Sequence, residues 1–194
     1  IVHRLDKDTS GLMVVAKTEL AQNSLSQQIK DRTAKRMYLA LTWANFKEES
    51  GMIDAPIGRH PINRLKMAVV ASGRQAQTAY SVLQHFPQMD FLKVQLLTGR
   101  THQIRVHMAY AHHPVVADPL YSTKEQHWGL EAQALHAYRL GFYHPRSKEW
   151  MEFTAAPPED FQNVLKKLGR PWTEGGNEDV FNFIIGRDPN QTNH

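Results

Sequence analysis

His3-Arg4-Leu5-Asp6-Lys7-Asp8-Thr9-Ser10-Gly11 runs directly into Leu12-Met13-Val14-Val15-Ala16-Lys17. The second segment is short, apolar and valine-containing, the pattern of a buried strand. The first sets a carboxylate, Asp6, between basic neighbours and closes on a Thr-Ser-Gly turn. Nearby positive charge favours the ionised form of a carboxylate, which a nucleophile or a general base requires. For an arbitrary Asp-Lys-Asp, a capped turn with solvated charges is the ordinary explanation. The meaning of the segment therefore depends on the rest of the chain.

Beyond it, Glu19 to Arg32 reads as an amphipathic helix with Leu20, Leu25 and Ile29 on its apolar stripe. Arg36 to Ala44 (RMYLALTWA) returns to strand character. Met37, Leu39 and Leu41 share one face, which sets Tyr38 on the other and favours an open pocket around it. Glu48 to Gly51 reads as a turn, and the stretch through His60, Pro61 and Asn63 as a loop. Lys66 to Ala71 and Gln75 to Phe86 read as two hairpin-like strands joined through Ser72-Gly73-Arg74. Phe91 to Thr98 is a further strand. Gly99-Arg100-Thr101 is expected to open a helix to about His112, with Ile104, Met108 and Ala111 as its buried stripe. Strands at Ala134 to Tyr143 and Trp150 to Thr154 precede a terminal helix from Pro158 to Leu168, with proline at its start. Strands dominate without regular βαβ alternation. The fold class implied is α+β, a mixed and largely antiparallel sheet with a few flanking helices.

Residues 1 to 168 are expected to form one catalytic domain. Residues 169 to 194, rich in Gly, Asn, Asp and Pro, are expected to form a C-terminal extension whose apolar island Phe181 to Ile185 docks back on it. Because Ile1 opens directly on a dense motif, the chain is expected to begin inside a longer protein. No apolar run approaches the roughly 20 residues of a membrane helix. With no cysteine present, a disulfide framework and a cysteine zinc site are excluded, and a reducing cytoplasm is the expected compartment. A net charge of +4 and a pI near 9.3 favour a polyanionic partner such as nucleic acid.

A second dense motif, Thr98-Gly99-Arg100-Thr101-His102-Gln103-Ile104-Arg105-Val106-His107, bears on that partner. Gly99 permits a close approach, Thr101 is placed to cap the helix, and the exposed amides of a helix start suit a phosphate. His102 and Arg105, three residues apart, are expected on one face opposite Ile104, Met108 and Ala111.

Together, HRLDKDTSGL with the following AKT, KRMYLAL, and TGRTHQIRVHMAYAHHPVVADPLY closely resemble the signature segments of the RluA-type RNA pseudouridine synthases. LHAYRLGFYHP and EWMEFTAAPPEDF extend the resemblance in the expected order to about residue 168. The resemblance implies the pseudouridine synthase fold and isomerisation of uridines in RNA, with large-subunit (23S) ribosomal RNA the expected target and tRNA the alternative. It implies that Asp6 attacks the ribose C1′ or removes the C2′ proton. Tyr38 would stack on the uracil and help remove the C5 proton, and Arg105 would pair with Asp6 and orient it. Arg4 would enter the RNA stack where the target base is flipped out, a step that frees edges otherwise buried by stacking. Arg100 and His102 are expected RNA contacts. No cofactor and no metal are implied.

Other classes fit less well. Asp6-x-Asp8-x-Ser10 looks like the aspartate motif of haloacid-dehalogenase-type phosphatases, but His3 and Arg4 stand where an apolar strand is needed. Ala117-Asp118-Pro119 is a poor match for the later acidic motif. His102, His107, His112 and His113 suggest a metal site, yet residues five apart on a helix diverge by more than a quarter turn. A non-catalytic RNA-binding module is opposed by the presence of Asp6, Tyr38 and Arg105 together.

Overall fold

The structure, a computed structural model, describes residues 1–173. Its frame is a seven-stranded sheet of β1 (Ser10–Gly11), β2 (Lys35–Trp43), β3 (Ser50–Asp54), β6 (Gln77–Phe86), β7 (Met89–Leu96), β8 (Leu135–Tyr143) and β9 (Trp150–Thr154). The order is β1-β8-β2-β7-β6-β3, with β9 also on β8; β1 and β8 are parallel and every other pair is antiparallel. A separate ribbon pairs β4 (Ile57–Arg59) with β5 (Met67–Val69). The α+β architecture agrees with the sequence.

β2 and β7 lie at the centre and are buried on both faces, which overrides simple alternation. Met37, Leu39 and Leu41 are inaccessible, but Tyr38, Ala40 and Thr42 on the opposite row are buried as well. Among the described residues three helices cover the sheet: α1 (Glu19–Lys30), α2 (Gln103–Tyr110) and α3 (Glu159–Lys167). Phe161, Val164 and Leu165 of α3 fall at helical spacing and enter the main core, where Phe161 meets Phe91 edge to face. Ile104 and Met108 of α2 join the same core. No helix is long and apolar enough to cross a membrane among the described residues.

Several local expectations are corrected. Leu12 to Lys17 is not a ladder strand; only Ser10 and Gly11 pair with β8. Beyond them the burial alternates, with Leu12, Val14 and Ala16 packed beside Leu25 and Leu140 while Met13 and Val15 stay exposed. Helix α1 stops at Lys30 because Arg32 adopts a left-handed backbone, and Leu20 is exposed rather than on the buried stripe. Gly51 belongs to strand β3, so the expected turn at Glu48 to Gly51 ends earlier. The expected hairpin across Ser72-Gly73-Arg74 does not form. Residues around Arg74 fold back on Ile57, β5 pairs with β4, and β6 turns through Pro87-Gln88 into β7. The island Phe181 to Ile185 lies outside the described residues. At the start of the proposed extension, Arg170 donates to the Leu83 carbonyl and Trp172 packs edge-on to Tyr138.

Candidate active site

The loop carrying Asp6 is fastened from several sides. Thr9 N–H donates to the Asp6 carbonyl at 3.1 Å, closing a turn in which Asp8 takes a positive φ. Gln133, just before β8, donates to the Lys7 carbonyl and to Thr9 Oγ1. Ser10 and His136 are linked through Oγ and Nδ1 at 2.8 Å. Gly11 then passes so close to β8 that a Cβ on it would lie 2.3 Å from the Ala137 carbonyl oxygen, and its φ is +107°. Glycine is needed there for both reasons.

Asp6, Tyr38, Arg4 and Arg100 line one cleft of about 540 Å³. Lys30, Arg32, Arg36 and Arg74 also face it, and among the described residues Asp6 is the single carboxylate in its wall. The cleft is therefore a basic basin around one acid. Arg105 and His102 stand outside that wall, beside Asp6. Arg105 Nη1 lies 3.6 Å from Asp6 Oδ2, an ion pair longer than a hydrogen bond. Its Nε and Nη2 instead make a two-pronged contact with Asp118 at 2.7 and 2.8 Å. Burial disfavours the guanidinium charge, but hydrogen bonding and attraction from Asp118, with Asp6 adding, hold its pKa above the ordinary value.

Asp118 is fixed in turn. Its Oδ1 accepts from the amides of Leu120 and Tyr121, and the preceding Val115 and Val116 bond along the end of β2. The Arg105 guanidinium sits 5.2 Å above the Tyr121 ring. Tyr121 Oη accepts from the Met67 amide and bonds His102 Nδ1 at 2.8 Å, so the ribbon β4–β5 is tied to the same cluster. Burial lowers the His102 pKa and keeps the ring neutral.

Helix α2 differs from its expected form. It spans eight residues, its N-cap is His102 in the left-handed conformation, and Thr101 does not cap it. Gln103 Oε1 takes the Arg100 amide and the Thr98 hydroxyl, so part of the expected anion site is filled by the protein itself. Arg105 does not share an exposed face with His102; Gln103 to Met108 are all buried. Tyr38 lines the cleft but is only 5% exposed. Burial, with Asp6 nearby, pushes its phenol above the usual pKa, while Arg36 opposes the shift.

The four histidines weighed as a metal site do not converge. His107 is buried between Thr78 Oγ1 and the Ala55 carbonyl, His113 stacks on Phe46, and His102 bonds Tyr121. Among the described residues no group of three or more His, Cys, Asp or Glu is placed to hold a metal. The residues that sequence reading passes over are Asp118, Tyr121, Gln133 and Arg36. The first two lie inside VVADPLY, but nothing local marks Asp118 as the partner of Arg105.

A carboxylate beside a buried arginine, in a basic cleft carried on this sheet, defines a class. The chain belongs to the RNA pseudouridylate synthase family, whose model matches residues 1–110. It is 51% identical over 168 residues to an uncharacterized RNA pseudouridine synthase of Chloroflexus aurantiacus, covering 87% of this chain and 53% of that one. It is 47% identical over 175 residues to the ribosomal large subunit pseudouridine synthase D of Nitrosomonas europaea, covering 87% and 51%. The chain thus spans about half the length of the curated relatives it matches. Among solved structures, human RNA pseudouridylate synthase domain containing 1 superposes with a TM-score of 0.71 at 30% identity, covering 81% of this chain and 68% of that one.

Proposed function

We propose that this protein is an RNA pseudouridine synthase that isomerises specific uridines in large-subunit ribosomal RNA. The observation that carries this reading is Asp6, partly exposed in a basic cleft, with the Arg105 guanidinium held 3.6 Å away by its contact with Asp118. In the proposed reaction Asp6 attacks C1′ or takes the C2′ proton of a flipped uridine, and the N1–C1′ bond breaks. The uracil turns and C5 bonds to C1′, as the Asp6–C1′ ester bond breaks in the first route or as C2′ regains its proton from Asp6 in the second; the C5 proton then leaves and N1 gains one. Substrate and product hold the same atoms, so the reaction calls for no redox cofactor. Tyr38 acts as a neutral phenol against the uracil, beside the C5 proton. Arg4, exposed at the cleft, enters the RNA stack in place of the flipped base, while Arg100 and His102 contact the strand. The basic wall supports an RNA partner, since phosphate neutralisation supplies most non-specific affinity. The name carried by the Nitrosomonas relative supports the ribosomal target.

The test is tritium release from RNA labelled at uridine C5, with large-subunit rRNA and unmodified tRNA compared. Release and new pseudouridines in the rRNA are expected. Asp6→Asn should release none while its RNA affinity stays within about threefold, because affinity comes from phosphate contacts. Release from tRNA alone would replace the target and keep the chemistry. Release from neither RNA sinks the reading.

A further inference from the structure

The cleft holds a cation that the chemistry of Asp6 does not use. Arg36 is 5% exposed and makes no ion pair among the described residues. Its Nη2 donates to the Thr98 carbonyl at 3.3 Å, and its Nε is buried without a partner among the described residues. Burying an unpaired charge is costly, and burial accordingly lowers its pKa. A merely structural role, donation to Thr98, is within reach of a neutral amide and does not require the charge.

Two placements give the charge a use. Nη1 lies beside Gly99, where a Cβ would come within 2.7 Å of it, so glycine clears the approach to that edge of the guanidinium. Arg36 also sits two residues before Tyr38 on the same face of β2, and both line the cleft with Asp6. We propose that Arg36, with the clearance left by Gly99, binds one backbone phosphate of the RNA strand next to the uridine that enters the cleft. This rests on the RNA-modifying function proposed for the cleft. The planar fork of a guanidinium matches two phosphate oxygens, and an anion compensates a buried cation in a way that a neutral uracil carbonyl does not. Lys30, Arg32, Arg74 and Arg100 around the rim carry the adjoining phosphates.

The experiment scans a short single-stranded RNA containing the target uridine, replacing each linkage around it in turn with a neutral methylphosphonate. One position is expected to slow single-turnover conversion by the wild-type protein roughly tenfold, the effect of losing one charge-assisted hydrogen-bond pair. Arg36→Gln should be slowed by a similar factor and should no longer respond at that position. Arg36→Lys should keep part of the response. Because the scan alters only the RNA, it is informative even where a variant folds poorly. The absence of any such position, or equal sensitivity in wild type and a folded Arg36→Gln, would overturn the proposal. Should wild type convert no RNA at all, the proposed function fails, and the same scan read by RNA affinity decides the subsite. A position that weakens wild-type binding but not Arg36→Gln binding supports it, and none overturns it. Competition by inorganic phosphate as strong as by the RNA would assign the site to a free anion and overturn the RNA linkage.

Discussion

Arg105 spends its two best-aligned donors on Asp118, at 2.7 and 2.8 Å, and reaches Asp6 with the remaining nitrogen at 3.6 Å. The pair is buried, with Arg105 at 3% and Asp118 at 2% exposure. The acid that aims the guanidinium is therefore a different residue from the acid that faces the cleft.

Asp118→Asn should show this division. The amide keeps an acceptor for the Leu120 and Tyr121 amides but leaves Arg105 without its charged partner. Removing one member of a buried pair costs about 3–5 kcal/mol, so the melting temperature should fall. A guanidinium displaced by about an ångström should also slow single-turnover conversion roughly a hundredfold. A folded Asp118→Asn protein with wild-type rate would show that Arg105 needs no such support.

Arg4 and Arg105 should fail in different ways. Arg4 is exposed at the cleft, so Arg4→Ala should mainly impair base extrusion, which costs a few kcal/mol, and its defect should shrink on an RNA whose target base is already unpaired. Arg105→Lys should be poor on both substrates, because an ammonium cannot reproduce the fork. Single-turnover rates on a structured and an open RNA decide it. Equal relief of both variants by the open RNA would contradict this division of roles.

Gly11→Ala should damage both fold and site. A residue forced to φ +107° carries strain of about 1–3 kcal/mol, and the contact with the Ala137 carbonyl adds to it. A chain of this size loses about 2–4 °C of melting temperature for each kcal/mol. Since β1 follows the Asp6 loop, activity should fall more steeply than stability. Unchanged melting and activity would show that the loop is held elsewhere.

Acid should destabilise the protein through its buried and partly buried histidines. His3 is pushed from 6.5 to about 4 by burial and then by Arg36, and burial also lowers His107 and His136. A lowered folded pKa means that the unfolded chain binds more protons below pH 6.5. For His3, stability is therefore present above 6.5 and lost as pH falls from 6.5 towards 4. The melting temperature should decline across that window. The decline should be shallower in His3→Gln, whose amide oxygen can still accept from the Val14 amide as His3 Nε2 does. An identical slope in the variant would remove His3 from the account.

Local pattern carries a large part of this protein. Strand β9 begins and ends where the residues alone place it, at Trp150 and Thr154, and β2, β7 and β8 agree to within a few residues. These are strands whose apolar content is dense enough to dominate. Strand β3 is not legible in the sequence because Ser50, Gly51 and Asp54 dilute its pattern at the sheet edge, where Met52 is 50% exposed. Helix α2 starts later than expected because His102, its N-cap residue, adopts a left-handed backbone, and Gln103 turns its side chain back onto the Arg100 amide.

The residues alone determined the fold class and the family resemblance, and that resemblance supplied Asp6, Tyr38 and Arg105 as candidates, since its motifs lie within short segments. Only the tertiary structure decided what those side chains touch. Asp118 meets Arg105 across 13 residues, Gln133 clamps the Asp6 loop from more than 120 residues away, and Arg36 stands in the cleft without an ion pair among the described residues. Periodicity reports which way a side chain faces along its own strand or helix. Contact across the molecule depends on strand order and on which long loops close, and the free energy that selects these is spread over the whole core.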